Sequence, residues 1–263
     1  MPMITSAQNP RLQAVRALLN RRAERDARSA FVVEGVRLAE EALAGGWTAR
    51  LVLTSAQLSE RGRQAAAGFA ARGADLLEVE PRLLDSLSGT ESPQGILAVL
   101  ERRDLPLPPA PDFLVVADGI RDPGNLGTLL RTCAAAGVQA VLLAPGTVDP
   151  FSPKVLRAGM GAHFRLPIRQ VDWQAIHSHC RTIPPRPLNI LLADASGGTP
   201  LWHTDLHQPV ALVIGGEAEG ASPQAIAALD DRITIPMPGR FESLNAAVAA
   251  AIILFEVVRQ RNA

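Results

Sequence analysis

The chain has no tyrosine, two cysteines and a single lysine, Lys154. Two cysteines, Cys133 and Cys180, cannot build the disulfide framework of a small secreted domain, and they give no metal-ligand spacing. They read as small buried side chains in a reducing compartment. The five histidines, His163, His177, His179, His203 and His207, show no ligand spacing either, so no metal is expected. A membrane span is missing too: the longest apolar run, from Ala246 to Phe255, is too short to cross a bilayer. The opening residues "MPMITSAQNPRLQ" lack the apolar core of a signal peptide, and a cytoplasmic protein is expected. Net charge is absent as well. With 26 basic and 26 acidic residues the chain lacks the bulk signature of a nucleic-acid binder. Arginine supplies every basic residue but one, a bias that reflects genome composition more than function.

What is present is alternation. "DLPLPPAPD", Asp104 to Asp112, holds four prolines in nine residues and reads as a stiff linker between residues 1–103 and 113–263. Upstream, "NPRLQAVRALLNRRAERDARSA" has Leu12, Val15, Leu18 and Leu19 at helical spacing. The strand-like stretches "AFVVEG", "ARLVLTS", "DLLEVE" and "GILAVL" follow, with a short helix at "VRLAEEALAGG" and an Ala-rich one from Gln57 to Ala71. That is a small α/β layer. Downstream, "FLVVADG", "AVLLAPG", "FRLPIRQV", "NILLADA", "PVALVIGG" and "RITIPM" read as strands. Helices are expected from about Asn125 to Ala136, near Pro153 to Gly159, and from Leu244 to Arg259. Strands alternating with helices predict a parallel sheet covered on both faces.

In such sheets ligands bind beyond the carboxyl ends of the strands. Three strands here end in polar, glycine-bearing loops. The first gathers Asp118, Arg121, Asp122, Asn125 and Arg131. Asp122 and Pro123 are explained as helix cap and first turn. Asn125 and Arg131 are not, and an Arg131 in a segment that should be well buried needs an anionic partner. The second loop places Gly215, Gly216, Glu217, Glu219 and Gly220 within six residues, where backbone can approach a ligand closely. The GxGxxG fingerprint of dinucleotide binding is missing, and this strand comes late in the chain. The third loop carries Ser243 and Asn245, with Ser243 a candidate N-cap of the last helix. From Ala246 that helix is apolar at every position to Val258 except Glu256, so it should be buried on all sides.

Taken in order, "DGIRDPGNLGTLLRTCAAAGV", "LVIGGEAEGAS" and "IPMPGRFESLNAAVAAAIILFE" resemble the three motifs of the SpoU/TrmH family of RNA ribose methyltransferases, within the SPOUT class. "KVLRAGMGAHFRLPI" also fits that family between the first two motifs. The resemblance covers about Phe113 to Arg261. Ala246 and Ala247 stand where Val and Ser are frequent. Upstream, "NPRLQAVRALL", "FVVEGVRLAEEAL" and "TESPQGILAVL" look like the family's accessory RNA-binding domain, a small α/β fold.

The resemblance implies a trefoil-knotted SPOUT domain with a parallel sheet at residues 113–263. It also implies an RNA substrate-binding α/β domain at 1–103. The implied reaction is methyl transfer from S-adenosylmethionine to a ribose 2′-OH of ribosomal or transfer RNA by a homodimer, without metal. Arg131 would be central, stabilising developing alkoxide, since guanidinium hardly deprotonates in proteins. Asn125 would orient Arg131 or the ribose, Glu217 would position the substrate or the arginine, and Ser243 and Asn245 would complete the pocket. Backbone around Gly215, Ile235, Met237 and Leu244 would hold the cofactor, with Glu217, Ser243 and Asn245 beside it. The Arg-rich start, with Arg21, Arg22, Arg25 and Arg28 within two turns, could contact phosphates. A nucleotide-binding dehydrogenase and a non-catalytic RNA-binding module stay open as other readings.

Overall fold

The computed structural model describes residues 3–216, 220–239 and 242–262. The first elements in chain order are α1 (Pro10–Asn20), α2 (Arg22–Arg28), β1 (Ala30–Glu34), α3 (Val36–Ala44) and β2 (Ala49–Thr54). Next come α4 (Glu60–Ala70), β3 (Asp75–Glu78), α5 (Pro81–Asp85) and β4 (Ile96–Glu101). The chain continues through β5 (Phe113–Asp118), α6 (Pro123–Ala135), β6 (Ala140–Leu143), α7 (Pro153–Gly159), β7 (Ile168–Gln170), α8 (Trp173–Thr182) and β8 (Asn189–Ala193). It ends with β9 (Thr199–Pro200), β10 (Val210–Gly215), α9 (Pro223–Ala228), β11 (Asp231–Thr234) and α10 (Ala246–Arg261). These elements form two compact units. One runs to Arg103 and includes Asp149–Phe164; the other comprises Asp104–Val148 and the chain from Arg165 on.

In the first unit the strands pair in the order β1-β4-β2-β3, antiparallel except for β2 with β3. The strand period of two divides β1 cleanly. Ala30 and Val32 face Leu12, Val15 and Leu18 of α1. Phe31 turns the other way and meets Trp47 and Phe151 at ring-centroid distances of 5.7 and 4.9 Å. Trp47 in turn packs edge-on against Phe164. The segment 149–164, which the sequence reading groups with 113–263, therefore finds its apolar cover in the first unit, where α7 lies against β1.

The Arg-rich start is two helices rather than one. Arg21 takes an extended conformation (φ −126°, ψ 119°) between them. The last carbonyls of α1 lack intrahelical partners. Arg25 of α2 supplies one, its Nη1 donating to Leu18 O at 2.5 Å and Leu19 O at 3.3 Å.

The second unit is a seven-stranded sheet in the order β7-β6-β5-β10-β8-β11-β9, parallel throughout. Strand β5 is buried at all six positions, as its unbroken apolar sequence requires of a strand covered on both faces. Helix α10 packs against α6 and β10. Its N-cap is Asn245 rather than Ser243: Asn245 Oδ1 accepts from the backbone N–H of Ala247 (3.0 Å) and Val248 (3.2 Å). Nor is α10 buried all round in the single chain. Glu256 is buried and bonded to Arg259 and Gln260, while Phe255 is 49% exposed. The arginine and glutamine bonds hold the Glu256 carboxyl well below the usual carboxylate range. Among the described residues, no helix is long and apolar enough to cross a membrane.

Candidate functional site

The carboxyl ends of β8, β10 and β11 open onto a cavity of about 750 Å³ in the second unit, within the size range of small-molecule sites. This is the position physics favours in an open parallel sheet. Its wall combines apolar and polar surface in near-equal measure, the apolar part coming from Ile214, Ile233, Ile235, Met237, Leu244 and Ile253 among others. Ser196, Asp194, Glu242, Ser243 and Asn245 add polar groups at its edge. Such a lining suits a flat heteroaromatic body with a charged, hydrogen-bonding tail.

Six sequence-predicted residues come together here: Gly215, Ile235, Met237, Ser243, Leu244 and Asn245 all line the cavity. The tight turn after β10 explains its glycines. Gly216 and Gly220 form a bridge, with Gly220 N–H donating to Gly216 O at 3.1 Å. A Cβ on Gly215 would lie 2.8 Å from the carbonyl carbon of Gly220 and 2.9 Å from the nitrogen of Ala221. A side chain at 215 would thus strike the returning leg of the loop before it reached any ligand. Glu217 lies outside the described residues.

Asn125 joins the site through a partner. Its Oδ1 accepts from Asn245 Nδ2 at 2.9 Å. The amide of Asn245 has a fixed sense, because its oxygen already caps α10. Its nitrogen must then donate to Asn125, which leaves the nitrogen of Asn125 as that residue's donor end. The first and third motifs are locked together by this bond.

Arg131 is placed differently from expectation. It is exposed rather than buried, and it does not line the cavity. Leu126, Leu129, Leu130 and Cys133 define the inner face of α6, and a step of 100° per residue turns Arg131 away from it. Arg25 deviates in the opposite sense. It is buried, with Nη2 2.6 Å and Nε 2.8 Å from Asp149 Oδ2, and is not available to a phosphate. Arg22 and Arg28 are exposed and pair along their own helix with Asp26 and Glu24, and Arg21 is exposed as well.

The loop after β8 also lines the cavity, through Asp194, Ala195 and Ser196, and the sequence reading does not single it out. The signal was legible: Gly197 and Gly198 follow a strand end, as the glycines do after β10. Gly198 has φ +132°, and a Cβ there would lie 2.4 Å from Arg232 O. Asp194 shapes the loop by accepting from Ser196 N (2.8 Å), Ser196 Oγ (2.6 Å) and Arg232 Nη1 (2.8 Å). Burial pushes its carboxyl up, but the Ser196 and Arg232 bonds together outweigh that and hold it below the ordinary range. Among the described residues, no three His, Cys, Asp or Glu side chains group closely enough to hold a metal.

Comparison with known proteins agrees with this architecture. Residues 112–255 match the SpoU rRNA Methylase family, and residues 9–98 match an MRM3-like substrate binding domain. The chain is 30% identical to a 23S rRNA (guanosine(2553)-2′-O)-methyltransferase of Bacillus subtilis, over 98% of this chain and 99% of that protein. It is 33% identical to a 23S rRNA (uridine(2479)-2′-O)-methyltransferase of Streptomyces viridochromogenes, over 97% and 92% of the two chains. The crystal structure of an AdoMet-bound rRNA methyltransferase from Sinorhizobium meliloti superposes with a TM-score of 0.87 at 32% identity, covering 98% of this chain and 97% of that one.

Proposed function

The chain belongs to the SpoU rRNA methylase family, and from that membership we propose that the cavity beyond β8, β10 and β11 holds S-adenosylmethionine beside an RNA ribose. The protein is an S-adenosylmethionine-dependent RNA (ribose-2′-O) methyltransferase, and ribosomal RNA is the substrate class its relatives favour. The observation that carries the site is the convergence of motifs. Gly215 and Gly216 of the second and Ser243 to Asn245 of the third line one cavity, and Asn245 is bonded to Asn125 of the first.

S-adenosylmethionine supplies the methyl group. The apolar wall around Ile235, Met237 and Leu244 fits its adenosine. Backbone groups after β10 and β11 can bond the base edge with no side chain intervening. Asn125 and Asn245, fixed in orientation by the α10 cap, would present donors to the ribose. Ser243 would complete the pocket, and Glu217 would position the substrate. Arg131 would meet the RNA from the exposed face of α6 and stabilise negative charge developing at the 2′-oxygen. Residues 1–103 would bind RNA, with Arg21, Arg22 and Arg28 exposed for phosphate contact. Exposed helix pairs are worth about 0–1 kcal/mol, so Arg22 and Arg28 can exchange their carboxylates for phosphates.

Ligand binding tests the pocket. S-adenosylmethionine at a hundredfold excess over Kd is expected to stabilise the folded chain by about 2.7 kcal/mol, raising Tm by on the order of 5 °C. Gly215→Val should abolish the shift, because the loop leg at Gly220 and Ala221 must move to admit the side chain. Calorimetry that shows NAD bound and S-adenosylmethionine ignored would sink the reading.

The same reading makes the enzyme a homodimer built on α10. Val248 and Phe255 are each 49% exposed and, seven residues apart, share one side of the helix. Ile253, which the apolar pattern alone would offer as an outward position, is 1% exposed and belongs to the core. Phe255→Asp is therefore the informative change. It should shift the protein from dimer to monomer in light scattering and lower activity with it, whereas a wild-type chain that stays monomeric at micromolar concentration contradicts the dimer.

A further inference from the structure

The first motif contains a buried carboxylate that the proposed chemistry leaves unused. Asp118 closes β5 and is 2% exposed, in register with Gly215 of β10. Its hydrogen bonds are to neutral donors. Oδ2 accepts from the backbone N–H of Ser222 at 2.6 Å, and Oδ1 from Ser222 Oγ at 3.1 Å and Trp173 Nε1 at 2.9 Å. Burying a carboxylate among neutral donors is costly, and the sequence keeps one here rather than an amide.

The three donors explain the choice. A carboxylate accepts at both oxygens. An asparagine could serve Trp173 and Ser222 Oγ with its oxygen, but its NH₂ would then face the Ser222 N–H, donor against donor at 2.6 Å. Ser222 is the first residue after the cavity-lining Gly220 and Ala221, and its Oγ caps α9 by accepting from Ala225 N at 3.1 Å. Trp173 begins α8 and packs in the same core as Ala225 and Val213. The carboxylate thus ties together the end of β5, the start of α8 and the point where the loop after β10 re-enters the fold.

We propose that Asp118 is a positioning residue for cofactor binding. It fixes Ser222, and through it the backbone of Gly220 and Ala221, in the place that leaves the cavity open above Gly215. This inference rests on the assignment of that cavity to S-adenosylmethionine. Asp118 works through Ser222 and reaches neither the methyl donor nor the ribose, so its loss should weaken cofactor binding and spare the chemical step.

The test is calorimetric titration of S-adenosylmethionine into wild type, Asp118→Asn and Trp173→Phe, with single-turnover methylation at saturating cofactor and RNA. Asp118→Asn is expected to raise the cofactor Kd about tenfold or more, the equivalent of one hydrogen bond lost and a donor left facing a donor. Its rate at saturation should stay within about twofold of wild type, and RNA affinity should not change. Trp173→Phe, which leaves both Ser222 bonds in place, should bind cofactor within about threefold of wild type. If Asp118→Asn does not fold, Ser222→Ala, which removes one of the two bonds, should raise Kd about threefold. Unchanged cofactor affinity in the folded variant overturns the proposal. So does a fall in the saturated rate with Kd unaltered. A wild-type protein that binds no S-adenosylmethionine sinks the pocket assignment itself, whatever the variants do.

Discussion

Replacing Arg131 by lysine is expected to slow single-turnover methylation by on the order of a hundredfold or more, and Arg131→Ala at least as much. Both variants should bind S-adenosylmethionine and melt almost as the wild type does. The expectation follows from the place of the side chain. Arg131 is exposed on α6, outside the cavity wall, and among the described residues it makes no hydrogen bond or ion pair. The fold does not use its guanidinium, so substitution should leave stability nearly untouched and any lost rate belongs to the reaction. Lysine keeps the charge but loses the planar fork that can bridge a phosphate and a hydroxyl together. RNA covering this face would also desolvate the guanidinium and strengthen its interaction with a developing alkoxide. Single-turnover assays with saturating cofactor and RNA separate this from weakened binding. Near wild-type turnover by Arg131→Lys would mean that charge alone suffices and that bidentate contact is not the mechanism.

The contrast between Arg131 and Arg25 shows where sequence reading reaches and where it stops. Period and punctuation identify β5, β10 and β11 and place three loops at their carboxyl ends, because strand burial and turn chemistry are local properties. The same locality fails for burial of a single long side chain. Arg131 stands between Leu130 and Thr132 and reads as buried, yet the helical step carries it to the solvent face. Arg25 lies in an arginine-rich run and reads as surface, yet it is 5% exposed. Its partner Asp149 is 124 residues away in the chain, and no pattern near either residue announces the pair. Sequence reading misplaces the N-cap of α10 for a related reason: Ser243 suits a cap and reads as one, yet Asn245, which also bonds Asn125 120 residues distant, takes the position. The lining loop at Asp194 to Ser196 was within reach, since its glycines repeat the signal of the loop after β10.

The buried pair gives the largest expected change in stability. Arg25 donates to Asp149 through Nε and Nη2, and its Nη1 caps α1 at Leu18 O. Asp149 also accepts from Phe151 N at 2.9 Å, which places the ring that packs against Phe31. Arg25→Ala would leave the Asp149 carboxylate buried without its counter-charge and the α1 carbonyl without its donor, a loss of about 3–5 kcal/mol. Arg28→Ala, which removes only an exposed pair with Glu24, should change stability by about 0.5 kcal/mol or less. Urea unfolding of the full-length chain in a Trp173→Phe, Trp202→Phe background, which leaves Trp47 as its one indole, reads the first unit directly by fluorescence, because that indole packs on Phe31 and Phe164. Deleting residues 1–103 is a poor substitute for these point changes. It would strip the cover from Phe151 and Phe164 along with any RNA-binding surface, so lost RNA affinity could not be assigned. A pair replacement, Arg25→Met with Asp149→Leu, should recover most of the stability, since apolar groups of similar size can stand in for a buried ion pair. RNA binding then decides the role of the arginine. In the restored double variant the salt dependence of RNA affinity should equal that of wild type. A slope reduced by about one unit, with the fold intact, would instead identify Arg25 as a phosphate contact.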